Sequence, residues 1–202
     1  MSEPIVFFFM GLSGSGKDTQ AGLVRGVLER KDGFESVLWL STGDILREII
    51  KSKSFAGKLI DEKVMKAGDI APPFLATLLW AGRVIKELKQ DQHAIFPSSP
   101  RTLNEARDID GFASFFDRSK VFPVFLNVDR DEAFKRLKLR GRADDTDEVI
   151  NNRLDYFAKH VLPAVEYFRN ESKNKLIEID GNPNDIQFIH RQVIAAAGLK
   201  WS

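Results

Sequence analysis

The chain has 202 residues, enough for one substantial hydrophobic core, and 43% of them are hydrophobic while 29% are charged. This balance excludes a disordered chain and a membrane-spanning one. With 30 basic and 29 acidic residues, the net charge of +1 gives no support for a nucleic-acid or membrane partner. Because the chain contains no cysteine, disulfides, thiolate nucleophiles and cysteine-ligated zinc are excluded.

The first apolar run, residues 5–10, is too short for the core of a signal peptide or for a membrane span. Glu3 precedes it where a signal peptide would carry basic residues. We therefore expect a cytoplasmic protein, and the absence of cysteine fits a reducing compartment.

Short apolar runs alternate with longer amphipathic stretches along the whole chain. This alternation predicts an α/β fold, a doubly wound parallel five-stranded sheet with helices on both faces. The predicted strands are residues 5–10, 36–40, 93–96, 122–128 and 176–179. Pro123 is unfavourable inside a strand, so we expect it to mark the first residue of the fourth.

A glycine-rich stretch, residues 11–20, follows the first strand and precedes a helical pattern, residues 21–30. Successive backbone N–H groups and the positive end of a helix form an anion site of phosphate size. Lys17 can reach a terminal phosphate. The usual P-loop has Ser or Thr directly after its lysine, but here Asp18 intervenes and Thr19 carries the hydroxyl.

The next motifs come after the second predicted strand. Ser41 and Asp44 have the spacing of a capping box, and Arg47 lies one turn later, within reach of a phosphate at that helix N-terminus. Residues 55–90 are predicted to be helical in two pieces, the first of which ends at Gly68. Pro72 and Pro73 begin the second, so this joint is not a domain boundary.

A basic cluster occupies residues 136–153. Arg136 and Arg140 are four residues apart, hence on one helical face, and Gly141 follows as a hinge. Two roles remain open for Asp145, because it can position these arginines or, with Glu148, cap a helix.

Together these motifs carry a resemblance. Four motifs follow one another along the chain: Ser-Thr-Gly-Asp-x-Leu-Arg from Ser41, Gly68 with Pro72, Pro100-Arg101-Thr102, and the 136–153 cluster. In this order they resemble the nucleoside monophosphate kinases, adenylate kinases above all, in their short-lid form. The resemblance covers essentially the whole chain. It implies one P-loop NTPase-like domain, 1–202, with a core of 1–40, 74–140 and 148–202, a monophosphate-binding insertion at about 41–73 and a short lid at about 141–147.

The same resemblance implies transfer of the γ-phosphoryl group of ATP to a nucleoside monophosphate, with Mg²⁺ as cofactor and the chain as a monomer. It implies catalytic roles for Lys17, Arg101, Arg140, Arg142 and Arg153. It implies ATP binding by Gly14, Ser15, Gly16, Lys17, Asp18, Thr19, Arg136, Arg140 and Gly181. It implies monophosphate binding by Thr42, Gly43, Arg47, Asp69, Ile70, Ala71, Ser98, Ser99, Pro100, Arg101, Glu105, Arg142 and Arg153.

No direct metal ligand is predicted, since phosphates and water hold the ion in this chemistry. The chain departs from the family pattern at three places: Pro97 replaces an aspartate, Asp18 replaces a glycine and Glu105 replaces a glutamine. Asp44 and Asp18 are candidates to compensate for the missing carboxylate near Mg²⁺-bound water. Asp144, like Asp145, is a candidate to position lid arginines. The histidines His93, His160 and His190 are given no role.

Two function classes remain open, an active kinase and a nucleotide-binding module whose catalysis has decayed. The retained lysine and arginines favour the kinase.

AMP is the first expectation for the acceptor, with GMP, dGMP or a broad range of monophosphates as the alternative. A carboxylate only accepts hydrogen bonds, so Glu105 suits the N1–H and N2–H of guanine better than glutamine does. Glu105 also completes a capping-box pattern with Thr102 and is alternatively a cap that bonds the Thr102 N–H.

Overall fold

The structure, a computed structural model, describes residues 3–67, 69–141 and 145–200. Its strands are β1 (Ile5–Gly11), β2 (Val37–Trp39), β3 (His93–Phe96), β4 (Lys120–Asn127) and β5 (Ile177–Asp180). Its α-helices are α1 (Lys17–Asp32), α2 (Thr42–Lys51), α3 (Phe55–Ile60), α4 (Pro73–Glu87), α5 (Leu103–Phe115), α6 (Arg130–Arg140), α7 (Asp147–Tyr156), α8 (Leu162–Asn170) and α9 (Ile186–Ala196). Two π-helical segments, Asp61–Lys66 and Phe157–Val161, continue α3 and α7.

The described strands form a five-stranded sheet in the order β2-β3-β1-β4-β5, and every pairing is parallel. The predicted fold class is therefore confirmed. β1 lies at the centre, with β3 on one side and β4 on the other, so the strand order reverses around it. The carboxyl end of a strand beside such a reversal is where open α/β sheets bind ligands.

The sheet lies between two helical layers, and β1 shows this most clearly. Val6, Phe8 and Met10 belong to a buried cluster that includes side chains from α4, α5 and α8. Ile5, Phe7 and Phe9 belong to a second cluster, formed with α1 and α9. Because successive side chains point to opposite faces of a strand, burial on both faces explains why β1 is continuously apolar.

Pro123 does not begin the fourth strand, and that expectation is wrong. It is the fourth residue of β4, where its Cα is paired with that of Phe8. Pairing of β4 with β5 begins only at Val124, so at position 123 the strand has a neighbour on one side alone. A residue without an N–H is tolerated where a strand has such an open edge.

The π-helical segment after α7 has a local cause. Pro163 lacks an N–H, and in a regular helix its ring would clash with the carbonyl group four residues earlier. The chain has wider turns through Phe157–Val161, just before that proline, and then resumes as α8. None of the described helices is both long and apolar enough to span a membrane.

Candidate active site

The glycine-rich loop between β1 and α1 is shaped by close backbone contacts. At Gly11, φ is +148° and a Cβ atom would lie 2.8 Å from the carbonyl oxygen of Leu126 in β4. At Gly14, φ is +87° and a Cβ atom would lie 2.8 Å from the carbonyl oxygen of Ala133 in α6. Side chains are therefore excluded at both positions, and the loop lies directly against its neighbours. The buried Ser15 hydroxyl has no hydrogen-bond partner among the described residues.

Lys17 begins α1 and folds back over the loop, where its Nζ donates a hydrogen bond of 3.1 Å to the Leu12 carbonyl oxygen. Burial lowers the pKa of Lys17 to about 8; the charge of Asp18 opposes this change, whereas the charges of Arg101 and Arg140 add to it. Two guanidinium groups from distant parts of the chain therefore act on this ammonium group. A concentration of positive charge of this kind is suited to binding anions.

Asp18 contacts the chain segment that follows β3. The Ser98 hydroxyl donates a hydrogen bond of 2.6 Å to Asp18 Oδ1. The Ser98 carbonyl oxygen in turn accepts a bond of 3.0 Å from Arg101 Nε. The phosphate loop and Arg101 are therefore connected through Ser98.

A second arginine cluster is organised by Asp145, whose side chain is only 1% exposed. Arg140 donates two bonds to its carboxylate, Nη2 to Oδ1 at 2.7 Å and Nε to Oδ2 at 2.9 Å. Arg153 Nη1 donates a third to Oδ1, at 3.0 Å. Of the two roles left open for Asp145, the structure supports arginine positioning, because the N-cap of α7 is Thr146. The predicted residues Gly68, Arg142 and Asp144 lie outside the described residues.

Arg136, one of the residues predicted to bind ATP, lies beside the loop that follows β5. Its Nη2 donates to the Asn182 carbonyl oxygen at 2.9 Å, and its Nε donates to Glu132 at 2.7 Å. Gly181, directly before Asn182, is required by packing, since a Cβ atom there would lie 2.5 Å from Val128 Cγ2. The structure therefore brings Arg136 and the Gly181 loop together.

A small pocket lies between α4, α5 and the end of α7, and several predicted monophosphate-binding residues line it. Its space, counted with the part that is open to solvent, is about 280 Å³. The residues that line it are Thr42, Ile70, Ala71, Pro73, Ala76, Ser99, Arg101, Thr102, Glu105 and Tyr156. The hydroxyl of Thr42 and Oε1 of Glu105 are buried and have no hydrogen-bond partner among the described residues. Buried polar atoms are nearly always paired, so these two atoms can be satisfied by water or by a polar ligand in the pocket.

Glu105 is 3% exposed, and its two carboxylate oxygens differ. Oε2 accepts a bond of 2.6 Å from the Arg101 backbone N–H, whereas Oε1 is the unpaired atom. Burial raises the pKa of Glu105 against the opposing effects of that N–H, the nearby Ser99 hydroxyl and the Arg101 charge, and the Asp108 charge raises it further. The expected cap is present only in part. Thr102 Oγ1 accepts the Glu105 N–H at 3.2 Å, but the carboxylate bonds the N–H of Arg101, not that of Thr102.

Asp44 and Arg47 bond each other at the start of α2. Arg47 Nη2 donates to Asp44 Oδ1, and Trp39 Nε1 donates to Oδ2 at 3.4 Å. Burial raises the pKa of Asp44 in part, but the hydrogen bonds from Arg47, Ser41 and Trp39 and the Arg47 charge hold it below its usual value. As expected, Ser41 is the N-cap and accepts the Asp44 N–H at 3.2 Å. Of the two aspartates expected to replace the missing carboxylate, Asp18 is the one that bonds the segment after β3 within the described residues.

Comparison with known proteins identifies the fold family. A family model described as "Adenylate kinase" matches residues 9–173. The chain belongs to the adenylate kinase family. Proteins named adenylate kinase from Synechococcus sp. (strain RCC307) and Azobacteroides pseudotrichonymphae genomovar. CFP2 are 30% and 31% identical to it, over 93% and 91% of this chain and 96% and 92% of their own lengths. One from Thermus thermophilus is 30% identical, over 95% of this chain and 96% of its own length.

Membership of the adenylate kinase family makes the chain an ATP-dependent nucleoside monophosphate kinase, which transfers phosphoryl groups between nucleotides. Its two clusters of basic groups suit this chemistry, because guanidinium groups pair with phosphate oxygens through two parallel hydrogen bonds. Arg101 belongs to both parts of the site. It acts on the charge of Lys17 in the phosphate loop and also lines the pocket that contains Glu105.

Sequence reasoning assigned no site role to four residues of this pocket, Pro73, Ala76, Thr102 and Tyr156. Of these, Tyr156 belongs to no motif of the sequence. It lies at the last position of α7, and nothing in the local pattern indicates a function. Only the tertiary packing of α7 brings it beside Ser99, Arg101 and Glu105. The spacing from Arg153 was the one available signal, since Tyr156 follows that arginine by about one helical turn.

Proposed function

We propose that this adenylate kinase family member transfers the γ-phosphoryl group of ATP to AMP, and that Mg²⁺ accompanies the reaction. The hydrogen bonding of the Glu105 carboxylate supports the choice of AMP. Its Oε2 is already bonded to the Arg101 N–H, which leaves Oε1 as the oxygen available to a base. One available oxygen suits the single N6 amino group of adenine.

Guanine would form different hydrogen bonds with the same carboxylate. Its N1–H and N2–H are adjacent donors, and they are best accepted by two oxygens together. Because Oε2 is occupied, Glu105 offers guanine a poorer match than a free carboxylate would. We therefore still expect Glu105 to contact the acceptor base, and we expect GMP to be a weaker acceptor than AMP.

In this proposal the phosphate of AMP lies between Arg101 and the basic groups of the phosphate loop. The acceptor oxygen is already largely ionised at neutral pH, so no side-chain base is required. The residues act by charge and alignment: Lys17, Arg101, Arg140 and Arg153 offset the repulsion between two polyanionic substrates and hold them in line. Arg47 joins them by exchanging its bond to Asp44 for one to the monophosphate. Arg142, outside the described residues, stays a prediction for the same role.

The family implies a monophosphate-binding insertion at about 41–73 and a short lid at about 141–147. In the proposal they close over the acceptor and over ATP, which expels water and favours transfer over hydrolysis. Asp145 prepares this closure, because it already holds Arg140 and Arg153 side by side.

The residues present fit a Mg²⁺ ion carried by the nucleotide. No three histidine, aspartate or glutamate side chains form a metal-binding group in the described parts of the chain. Asp18 follows the phosphate loop directly and its carboxylate is held by Ser98, and Thr19 adds a hydroxyl in the same turn. Mg²⁺ keeps several water ligands and binds few carboxylates, so this donor set suits it. Bound with ATP, the ion would neutralise charge on the transferred group.

A steady-state assay with ATP, Mg²⁺ and a panel of AMP, GMP, dGMP, CMP and UMP tests the proposal. We expect AMP to have the highest kcat/KM, with GMP and dGMP above the pyrimidine nucleotides. A highest value for another nucleotide would contradict AMP as acceptor. No turnover of any monophosphate, in folded protein that binds ATP, would instead indicate a nucleotide-binding module without catalysis.

A further inference from the structure

Tyr156 lines the acceptor pocket but has no partner for its hydroxyl within the described part of the chain. The side chain is half-buried, and its hydroxyl makes no hydrogen bond to any of the described residues. Burial raises the pKa of Tyr156, with smaller effects from the charges of Arg101, Glu105 and Asp69. The phenol group is therefore close to both the guanidinium group and the carboxylate of the pocket.

The chain holds this ring in a defined place. Tyr156 ends α7, and the wider π-helical turns of Phe157–Val161 begin at the next residue. His160, within those turns, stacks on the phenol ring with centroids 4.4 Å apart and an interplanar angle of 30°. A stacked ring loses little further freedom when a ligand binds, which makes it suited to positioning that ligand.

The pocket around this ring combines apolar walls with a few polar atoms. Thr42 Oγ1 and Glu105 Oε1 are also unpaired there, while Ile70, Ala71 and Ala76 supply apolar walls. Apolar walls with a few convergent polar groups are typical of sites for small molecules. A phenol is neutral at physiological pH and both donates and accepts, so it matches uncharged polar atoms of a nucleoside better than phosphate oxygens.

We infer that Tyr156 is a further specificity-determining residue of this enzyme, and that its hydroxyl hydrogen-bonds the nucleoside of the acceptor monophosphate. The inference rests on the proposed function, since it concerns the same acceptor. It adds a second polar contact to the one that Glu105 provides. The contact belongs to the acceptor alone, so ATP binding does not depend on it.

The test compares Tyr156→Phe with Tyr167→Phe, a matched control because the chain has only two tyrosines. The Tyr167 hydroxyl donates to Asp110 at 2.9 Å, away from the pocket residues. We expect Tyr156→Phe to lower kcat/KM for AMP by about tenfold, the worth of roughly one good hydrogen bond, with the KM of ATP unchanged. Tyr167→Phe should lower the thermal midpoint and leave both KM values unchanged.

Calorimetric titration separates binding from turnover. Tyr156→Phe should weaken the Kd of AMP by about the same factor and leave the Kd of ATP unaltered. An unchanged Kd for AMP, or equal weakening for AMP and ATP, would overturn the inference. Both outcomes presuppose an active wild-type enzyme, so they differ from failure of the proposed function, in which the wild type itself does not phosphorylate AMP.

Discussion

Ser98 Oγ donates a hydrogen bond of 2.6 Å to Asp18 Oδ1, joining two residues that are 80 positions apart. Asp18 stands where adenylate kinases usually have glycine, and Ser98 follows Pro97, which stands where they usually have aspartate. The two departures from the family pattern therefore meet in space. We propose that the Asp18 carboxylate, in the first turn of α1, takes the place of the one that is missing after β3. A bond from Ser98 holds it there.

The first prediction concerns this carboxylate. Without Mg²⁺ the charge of Asp18 should repel ATP, whereas with Mg²⁺ it should attract the ion's bound water. We therefore expect Asp18→Asn to tighten binding of free ATP and to weaken binding of Mg²⁺–ATP, each by roughly threefold to fivefold, since Asp18 is exposed and a contact between exposed charges is worth about 1 kcal/mol or less. Calorimetric titration of ATP with and without Mg²⁺ measures both effects.

Ser98→Ala is the matched variant, because it removes the hydroxyl and keeps the carboxylate. It should shift both affinities in the same directions by a smaller factor. If Asp18→Asn changes the two affinities in the same direction, Asp18 does not act through the ion.

A second prediction concerns Lys17 and Arg101, which contact phosphates and not the core in the proposed function. We expect Lys17→Met and Arg101→Ala to lower kcat by about a hundredfold or more, since one preorganised charge contact is commonly worth a few kcal/mol. The exposed Lys86→Met and Arg191→Ala are matched controls that should retain wild-type turnover. Wild-type turnover in folded Lys17→Met protein would contradict the role of the phosphate loop.

Local patterns made part of this site predictable. The phosphate loop could be found from its glycines and Lys17, because strand, loop and helix are adjacent in the sequence. The N-caps Ser41 and Thr102 were likewise predictable, since a cap bonds an N–H only three residues away. The contacts that depend on packing were not. No sequence pattern places Asp18 beside Ser98, or Tyr156 beside Glu105, because α/β topology and helix packing decide those distances.

Pro123 shows the same limit in the fold. Proline disfavours a strand interior, and this general preference suggested a strand end. Whether an N–H is needed at one position depends on the neighbouring strand, and β5 begins one residue too late to require it. The preference of proline can be read from the sequence, but the position at which the neighbouring strand begins cannot.

The third prediction concerns Asp145, which joins Arg140 and Arg153. Asp145→Asn should lower the free energy of unfolding by about 1–3 kcal/mol, because charge-assisted bonds to a buried carboxylate are lost. We also expect kcat to fall about tenfold, since both arginines lose their alignment. The exposed Asp147, whose bond to Lys138 is 2.6 Å long, provides the control. Asp147→Asn should change stability by about 0.5 kcal/mol or less, and equal losses in the two variants would contradict the role assigned to Asp145.

The fourth prediction is a decline in stability below neutral pH, caused by His190 in α9. Burial lowers the pKa of this side chain to about 4, and the charge of Arg30 acts in the same direction. In the unfolded chain the pKa is about 6.5, so between these values the unfolded state binds a proton that the folded state does not. Stability therefore falls as pH decreases from about 6.5 to about 4, by roughly 1–3 kcal/mol.

Buried His93 adds to this decline with the same sign. Burial lowers the pKa of His93, although its bond to Asp32 opposes the change, and its Nδ1 already accepts the Ile5 N–H at 2.9 Å. Urea unfolding at several pH values measures the slope. In His190→Gln the slope should be shallower than in the wild type, whatever the stability at pH 7. An identical slope would assign the decline to other groups.

The last prediction is that acceptor preference depends on pH through Glu105. Burial raises the pKa of this carboxyl group, so its neutral form is present at higher pH than for an exposed glutamate. Protonated on Oε1, it donates a bond to adenine N1 and no longer accepts well from guanine N1–H. Ionised, Oε1 only accepts, so it can bond the N6 amino group of adenine or one N–H of guanine, and adenine N1 is left without a donor. The ratio of kcat/KM for AMP to that for GMP should therefore rise as pH decreases.

The ratio of kcat/KM for AMP to that for GMP isolates the effect of Glu105 better than either value alone. The phosphate group of both acceptors titrates near pH 6, and the charges of Arg101 and Asp108 act on both complexes, so these effects cancel. In Glu105→Gln, which donates and accepts at every pH, the ratio should be independent of pH and shifted toward AMP by about tenfold relative to wild type at high pH. Assays from pH 5.5 to 8.5 with both acceptors test this. A ratio that varies with pH equally in the wild type and in Glu105→Gln would show that another group reads the base, and would leave Glu105 as a residue that only holds the Arg101 backbone in place.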